Sequence, residues 1–368
     1  MERTYPEFLK RYLPEERINR ENLQLLNYDG VDYIRLKRDA SGFLRGTVFI
    51  KGMVIRGFQR IKRILSLEEG IKRYIKGAFY LEEKMDGYNI RVRRIGDRLF
   101  TFTRGGFVCP FTMDRVEEFI DPNFFSEHPH YTLCAEVVGP ENPYNSEPVD
   151  FIKEDIEFFV FDIKGPDGKS LPLEQRYALY ERTGLRAVRR WGPFQAGDIE
   201  TVRNIVVELD RNQREGIVIK SVSGDEELKY VTASSCIRDI RATAHLITEI
   251  PAGFYIQRIL RLSMIAREFG LKLEEPLFAD TGRAFLEPLS ESLEEVAGGE
   301  RIKEFFRIRV NKRETIERLL LHLKKMGISA KVVSIERRAD KYAVTFYRSF
   351  PRGSRTLRRA LRGYGIYD

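Results

Sequence analysis

Residues 83–89, Glu-Lys-Met-Asp-Gly-Tyr-Asn, constrain the fold of this chain more than any other segment. An apolar run at residues 78–81 precedes them and the alternating apolar positions Ile90 and Val92 follow, a pattern that predicts a turn between two strands. A lysine at such a turn can serve as an amine nucleophile, and Gly87 lets a phosphate approach the backbone. Because Lys, Asp and Gly are also common in surface turns, the motif alone is a weak signal of function.

Further motifs follow in a fixed order, each pairing a strand-like apolar run with a cation or a carboxylate. They are Thr103-Arg104-Gly105-Gly106, Cys134-Ala135-Glu136-Val137-Val138-Gly139, Glu157-Phe158-Phe159-Val160-Phe161-Asp162-Ile163, Glu215-Gly216-Ile217-Val218-Ile219-Lys220 and Lys229-Tyr230. In this order they resemble the collinear motifs of the covalent nucleotidyltransferases, the superfamily of DNA ligases, RNA ligases and mRNA capping enzymes. The resemblance implies that Lys84 is the nucleophile and that the catalytic domain has ATP-grasp-like antiparallel sheets.

Within that superfamily, residues ~50–235 resemble the archaeal homodimeric ATP-dependent RNA ligases. Asn89, five residues after Lys84, the upstream pair Arg56-Gly57 and the run at residues 136–144 carry this resemblance. One departure is Lys229-Tyr230-Val231, where many ligases have Lys-x-Lys. Another is Arg338-Ala339-Asp340-Lys341, which resembles the motif that ends the OB domain of DNA ligases and capping enzymes. We expect no OB barrel here, because the preceding ~60 residues have a helical pattern.

The pattern along the chain predicts an α+β protein with four parts. We expect an N-terminal β-rich module at 1–65, a nucleotidyltransferase catalytic domain at 66–236, a helical dimerisation domain at 237–300 and a small C-terminal α/β domain at 301–368. Helices are predicted at 66–76, 113–120, 173–182, 198–210, 315–326 and 356–362. Strands of the last part are predicted at 306–310, 331–335 and 342–347.

One predicted helix, at 254–265, is apolar around most of its circumference. Such a helix must be buried on several sides. Two interpretations remain open, a small helical core of its own or a subunit interface. The resemblance favours the second, and we therefore expect a homodimer formed through residues 240–300.

Composition supports an intracellular protein with a polyanionic partner. The formal net charge of the 368-residue chain is +8, which suits RNA. No apolar run reaches the ~18 residues of a membrane span, and the first residues lack the pattern of a signal peptide. Cys109, Cys134 and Cys236 are widely spaced, which predicts buried thiols. We expect a cytoplasmic location and no membrane contact.

The implied chemistry begins with an unprotonated lysine and the α-phosphorus of ATP. A free lysine has a pKa of ~10.4, and neighbouring positive charge lowers it. Lys220, Lys229 and a Mg²⁺ (or Mn²⁺) ion on the triphosphate can supply this charge and stabilise the phosphoryl oxygens. The resemblance implies a lysyl-AMP intermediate, transfer of AMP to an RNA 5′-phosphate, and sealing by a 3′-hydroxyl.

Roles for the other site residues follow from the resemblance and from side-chain chemistry together. The nucleotide-binding set comprises Glu83 for the adenine amino edge, Phe161 for stacking on the adenine, Arg104 and Glu136 for the ribose hydroxyls, Asn89, Glu215, Lys220 and Lys229. Glu215 suits either a water of the metal shell or the lysine itself. Phe158 and Phe159 are predicted to be core residues.

Several assignments stay open in the sequence. Asp86 either contributes to the site or only shapes the turn, and Asp162 is either a site residue or a strand-end cap. Arg56 is a candidate contact for the ATP γ-phosphate or for the RNA 5′-phosphate, or it binds neither. Rival interpretations of the chain are a DNA ligase, a capping guanylyltransferase, and a non-catalytic RNA-binding protein on a ligase scaffold. The physiological RNA, and whether sealing circularises it, also stay open.

Overall fold

The computed structural model describes residues 9, 12, 20–145, 151–272 and 274–365. The beginning of the chain, on which the expectation of no signal peptide depends, lies mostly outside these residues. Contacts group the chain into two units, each assembled from three separate stretches. The first comprises Met1–Arg60, Gly87–Val137 and Glu157–Ala187, and the second comprises Ile61–Asp86, Val138–Ile156 and Val188–Asp368. The predicted domain limits stay a prediction, because these interleaved units do not divide the chain at single points.

Strands and helices alternate irregularly along the described residues, as the α+β prediction requires. The strands are β1 Leu23–Tyr28, β2 Val31–Leu36, β3 Val48–Ile50, β4 Met53–Ile55, β5 Lys62–Arg63, β6 Phe79–Lys84, β7 Tyr88–Ile95, β8 Arg98–Thr103, β9 Thr132–Val138, β10 Glu157–Lys164, β11 Arg190–Phe194, β12 Gly216–Ser221, β13 Glu227–Val231, β14 Lys303–Val310, β15 Ser329–Arg338 and β16 Lys341–Ser349. The helices are α1 Leu67–Tyr74, α2 Pro110–Phe119, α3 Asn123–Glu127, α4 Leu173–Thr183, α5 Ile199–Arg211, α6 Ala233–Ala244, α7 Ala252–Phe269, α8 Glu275–Ala297, α9 Glu314–Lys325 and α10 Pro351–Leu361.

The predicted helices are confirmed, with small shifts at their ends. Helix α2 begins at Pro110 and α10 at Pro351, three and five residues before the predicted positions. Proline suits the first turn of a helix, because its missing N–H has no partner there in any case. The predicted strands of the last 68 residues are β14, β15 and β16.

The first unit contains two four-stranded sheets, ordered β1-β2-β3-β4 and β10-β9-β7-β8. Alternating residues of β2 are buried in different clusters, because the first sheet is covered on both faces. Tyr33 packs with Phe100 and Phe102 of the second sheet, whereas Ile34 packs with Phe49. The N-terminal strands therefore share a core with the second sheet.

The second unit contains a five-stranded sheet, ordered β11-β6-β12-β13-β5, and a three-stranded sheet, ordered β14-β16-β15. One face of the larger sheet is apolar, and α1, α5, α6 and α7 contribute to the same core. Its fully buried residues include Phe79, Leu81, Ile217, Ile219 and Leu228.

Helices α6, α7 and α8 occupy residues 233–297, where an OB barrel would need strands. The Arg338-to-Lys341 motif lies at the turn between β15 and β16, with Ala339 at a φ of 54°. The expectation that this motif does not mark an OB domain is confirmed. Among the described residues, no helix has both the length and the hydropathy of a membrane span. Cys109, Cys134 and Cys236 are buried thiols that form no disulfide, as predicted.

Candidate active site

Lys84 ends β6 and forms an ion pair with the residue that precedes β12. Its Nζ lies 2.6 Å from Oε1 of Glu215, and the two side chains are 22% and 15% exposed. Gly216 lies directly opposite Lys84 in the antiparallel pair. This glycine has a φ of 147°, and a Cβ there would lie 2.2 Å from the carbonyl oxygen of Tyr230. The close strand contact beside the lysine therefore requires glycine.

Side chains alternate across the five-stranded sheet, so the face opposite the apolar core carries the charged groups. Glu82 of β6, Val218 of β12 and Lys229 of β13 form one row across this face, and Lys229 is paired in register with Arg63 of β5. Lys220 Nζ lies 2.5 Å from Oε2 of Glu82, and both side chains are almost fully buried. We call this surface the charged face of the large sheet. It brings together three lysines of the predicted site, Lys84, Lys220 and Lys229.

The electrostatics of Glu215 favour proton transfer with Lys84. Burial raises the pKa of the Glu215 carboxyl, and the negative charge of Asp86 raises it further. The ammonium of Lys84 opposes both effects. A carboxyl with a raised pKa, in hydrogen-bond contact with an amine, is able to accept its proton.

Glu83 is buried and has partners that the sequence did not reveal. One carboxylate oxygen accepts a hydrogen bond from Arg189 Nε at 2.6 Å, and the other accepts one from Arg214 Nε. The Arg189 guanidinium also lies over the ring of Trp191. Glu83, next to Lys84 in the sequence, thus anchors two arginines, and its predicted contact with adenine stays a prediction.

Asp86 is also held by a distant cation. Its Oδ2 lies 2.8 Å from Arg238 of α6, and the same guanidinium donates to the carbonyl oxygen of Gln213. Asp86 therefore ties the turn after Lys84 to α6, rather than acting on its own backbone alone. No local pattern predicts Arg189, Arg214 or Arg238, because their partners lie over 100 residues away in the chain.

In the first unit, Asn89 and Glu136 are directly paired across β7 and β9. The amide of Asn89 donates a hydrogen bond to Oε2 of Glu136. Arg104 lies exposed after β8 and lines a cavity of about 250 Å³, together with Arg45, Phe58 and Arg60. This cavity offers cationic groups and an aromatic ring, the chemistry that a nucleotide requires.

The aromatic residues of β10 separate as predicted into core and non-core positions. Phe158 is buried and stacks on Phe119 with ring centroids 4.6 Å apart, and Phe159 is also buried. Phe161 is half-buried, with its ring centroid 6.0 Å from that of Phe58. Phe58 was missed at the sequence level, since a single aromatic after a glycine gives no signal of its partner.

Asp162 belongs to an internal network. It accepts hydrogen bonds from Ser170 at 2.6 Å and from Arg176 at 2.9 Å, and Lys164 lies 3.5 Å away. These contacts account for its carboxylate structurally, and the choice between a site residue and a strand-end cap stays a prediction.

Arg56 lies over the ring of Phe43 and against Gly168, where a Cβ would come within 2.3 Å of the Arg56 side chain. It lines a cavity of about 550 Å³ with Arg60 and Lys164. Arg91 holds this segment in place, and the sequence pattern did not identify it. Fully buried, Arg91 donates to the carbonyl oxygens of Arg56 and Gly46, and burial lowers its pKa to about 10.

Comparisons with known proteins decide the family. The model described as "RNA ligase" matches residues 77–231, and the model described as "Ligase Pab1020 C-terminal region" matches residues 242–364. A Methanocaldococcus jannaschii protein named "Uncharacterized protein MJ0414" is 30% identical over 330 residues, which cover 87% of this chain and 84% of that protein. The chain belongs to the RNA ligase family.

Solved structures agree over the whole length of this RNA ligase family member. An Aquifex aeolicus structure described as a putative ATP-dependent DNA ligase matches with a TM-score of 0.91 and 33% identity, covering 99% of this chain and 100% of that one. A structure described as an archaeal ATP-dependent RNA ligase, form 1, matches with a TM-score of 0.90 and 28% identity over the same shares. The predicted superfamily, RNA ligase type and nucleotidyltransferase fold are confirmed.

Proposed function

We propose that this protein is an ATP-dependent RNA ligase, which forms phosphodiester bonds between RNA 5′-phosphate and 3′-hydroxyl ends through a lysyl-AMP intermediate. The observation that carries the proposal is the 2.6 Å contact of Lys84 with Glu215 on a sheet that also presents Lys220 and Lys229. We also propose a cytoplasmic location, which suits three cysteine thiols that form no disulfide.

The first step forms a bond from Lys84 Nζ to the α-phosphorus of ATP and breaks the bond from that phosphorus to pyrophosphate. Nζ must lose a proton, and Glu215 is placed to accept it. In the second step an oxygen of the RNA 5′-phosphate attacks the AMP phosphorus, and the Nζ–phosphorus bond breaks. In the third step a 3′-hydroxyl attacks the activated 5′-phosphate, and AMP leaves.

Positive charge supports each of these steps. Lys220 and Lys229 are the cations proposed to contact the phosphates, and Phe161 is proposed to stack on the adenine. The described residues contain no group of three or more His, Cys, Asp or Glu side chains that could hold a metal. Mg²⁺ typically binds through one or two carboxylates, several waters and substrate phosphates, and Glu215 would supply such a carboxylate through a water molecule. Mg²⁺ or Mn²⁺ bound there would neutralise charge on the phosphate oxygens.

Sealing of DNA is a second candidate, because the Aquifex aeolicus relative is described as a putative DNA ligase. DNA ligases and capping enzymes that contain an OB domain would have strands at residues 233–297, where this chain has helices. The chain therefore differs from both classes. A binding-only protein would not require a lysine paired with a carboxylate of raised pKa. RNA is therefore the substrate we propose, and the test below also includes DNA as a possible substrate.

The test is incubation with ATP labelled at the α-phosphate, followed by denaturing electrophoresis. We expect covalent labelling of the wild type with ATP and none with labelled GTP. Lys84→Ala should lose the label completely yet still seal RNA supplied with a preformed 5′-adenylate, because the lysine reacts only in the first step. Lys76→Ala, an exposed lysine that precedes β6, is the matched control and should label normally.

Residual labelling of Lys84→Ala would place the nucleophile elsewhere. Transfer of label to a nicked DNA duplex, but not to RNA ends, would replace RNA by DNA as the substrate. Labelling with GTP alone would indicate a capping enzyme.

We further propose that the protein is a homodimer through residues 240–300. Helix α7 buries Tyr255, Leu262 and Ile265, which gives one of its faces an ordinary intramolecular core. The rest of α7 leaves Ile256 65% exposed and Leu260 49% exposed, and α8 leaves further apolar side chains exposed, including Phe278 and Leu286. Apolar surface on two neighbouring helices suits an isologous contact with a second copy of the chain.

Replacing Ile256 and Leu260 with aspartate tests this contact. Carboxylates in such an interface would be desolvated at a cost of several kcal/mol, so dissociation is expected. Light scattering should give twice the 43.0 kDa chain mass for the wild type and one chain mass for the variant. Covalent AMP labelling should persist in the variant. A wild type of one chain mass would refute the dimer.

A further inference from the structure

The three-stranded sheet of the second unit has one covered face and one bare face. Phe306, Ile308, Val344 and Phe346 are fully buried on the covered face. Helix α9, whose buried residues include Ile316, Leu319 and Leu323, packs on this sheet and contacts β15. The residues that alternate with the buried set lie on the other face, where Ala343 is buried and the other described residues are exposed or half-buried.

An aromatic pair occupies the bare face. Phe305 of β14 is paired in register with Tyr347 of β16, and Tyr347 is paired with Lys331 of β15. The two ring centroids are 5.8 Å apart at an interplanar angle of 55°. Phe305 is 55% exposed. The pair therefore presents aromatic surface to solvent on this face.

Cations border this aromatic pair. Arg307 lies in the next row of the same face, opposite Thr345, and its side chain is 45% exposed with Glu141 4.0 Å away. Lys331 is exposed beside Tyr347. By contrast, Lys303 lies 5.7 Å from the Tyr347 ring but is paired with Glu300 at 2.6 Å. Further along the same face, Arg309 is paired with Glu141 and Glu154, so the positive charge near the rings comes from Lys331 and Arg307.

We infer that this bare face binds a single-stranded segment of the RNA substrate. The structure assigns base stacking to Phe305 and Tyr347, and phosphate contacts to Arg307 and Lys331. Every base has an aromatic face, and aromatic side chains on an open sheet with flanking cations are a recurring way to bind single-stranded nucleic acid. The inference rests on the proposed function, because it names where that function holds its RNA.

Binding of RNA to the full-length protein tests the inference. The probe is a 5′-phosphorylated single-stranded RNA of twelve nucleotides with a 3′ fluorophore, followed by fluorescence anisotropy. Loss of a stacked ring is expected to raise Kd by about 5- to 150-fold. Phe305→Ala and Tyr347→Ala should each show a rise in this range, and Phe305→Tyr should bind as the wild type does. Leu321→Ala, which removes an equally exposed apolar side chain (53%) from α9, is the matched control.

Salt dependence gives an independent readout. For a single strand, each phosphate contact contributes about 0.7 to the slope of log Kd against log salt. Arg307→Ala and Lys331→Ala should each lower this slope by about 0.7, whereas Phe305→Ala should leave it unchanged.

Covalent AMP labelling separates failure of this inference from failure of the proposed function. All these variants should label with ATP as the wild type does, because none of the altered side chains belongs to the catalytic set. A wild type that labels and seals RNA, with Phe305→Ala and Tyr347→Ala binding within twofold, would overturn the inference alone. A wild type that binds no RNA and forms no adduct would overturn both. A change of oligomeric mass in Phe305→Ala, with RNA affinity unchanged, would make this face a protein interface and likewise overturn it.

Discussion

The two sheets of the second unit place their charges in opposite ways. On the charged face of the large sheet, Lys220 and Glu82 are almost fully buried and lie 2.5 Å apart. On the bare face of the small sheet, Lys331 is exposed and Arg307 is 45% exposed. Both sheets bury apolar residues on their other face, so the difference lies in burial of charge.

This difference in burial indicates that the charged side chains of the two sheets have different functions. Buried, paired charges are held in fixed positions and act in a medium where electrostatic interactions are strong, as catalysis of phosphoryl transfer requires. Exposed cations are mobile and screened by salt, as suits contacts with a flexible polyanion. Removal of matched groups from each sheet tests whether burial of charge is what distinguishes them.

Removal of one lysine from each sheet should give the largest contrast. Lys220→Met takes away the cation 2.5 Å from the buried Glu82 carboxylate, and the free energy of unfolding should fall by about 3–5 kcal/mol. Lys331→Met should change it by less than about 0.5 kcal/mol, because the side chain is exposed. Urea unfolding measures both values.

A double variant, Glu82→Leu with Lys220→Met, should recover most of that stability, since no buried charge of the pair remains. Equal losses for Lys220→Met and Lys331→Met would contradict the contrast between the two sheets.

Acid should destabilise the small sheet through a group under its covered face. His322 of α9 is buried and contacts the Tyr144 hydroxyl at 2.8 Å, and burial lowers its pKa from 6.5 to about 4. In the unfolded chain His322 therefore takes up a proton as the pH falls below 6.5. In the folded chain it does so only near pH 4. The free energy of unfolding should fall over this window by about 3 kcal/mol and gain nothing from His322 above it.

His322→Gln keeps a polar partner for Tyr144 but removes the titration. Its stability should fall less between pH 6.5 and 5, where few carboxylates titrate. Parallel pH profiles for the wild type and this variant would remove His322 as the cause.

Two phenylalanines extend the comparison to aromatic groups. Phe161, half-buried beside Phe58, is proposed to stack on adenine, whereas Phe305 is proposed to stack on RNA bases. Phe161→Ala should weaken ATP use in the labelling reaction by about 5- to 150-fold, and Phe161→Tyr should keep most of it. Phe305→Ala should leave ATP use unchanged. An unchanged ATP dependence in Phe161→Ala would remove Phe161 from the nucleotide site.

Local patterns predicted the parts of the fold and the site that are encoded locally. The position of Lys84 at the end of a strand follows from apolar alternation around a glycine turn, and the core positions of Phe158 and Phe159 follow from a continuous apolar strand. The helical stretch after residue 232 was also predictable, because its period differs from that of strands.

Long-range partners could not be predicted in this way. Arg189 and Arg214 bind Glu83, and Arg238 binds Asp86, across more than 100 residues of sequence. Arg91 looked like an ordinary strand cation, yet it is fully buried and binds backbone carbonyls. A charged residue in a strand pattern does not reveal whether solvent or a carbonyl oxygen will satisfy it.

The strand order of the large sheet has a consequence during synthesis of the chain. Strand β6 pairs with β11 on one side and β12 on the other, so one of its edges lacks its partner until Phe194 has been made and the other until Ser221 has been made. An apolar strand that waits for distant partners is at risk of pairing with other chains. Glu82, Glu83 and Lys84 place three charges at its end, and charged side chains discourage such pairing. We therefore expect these three charged residues, one of which is the proposed nucleophile, to discourage aggregation of the nascent strand as well.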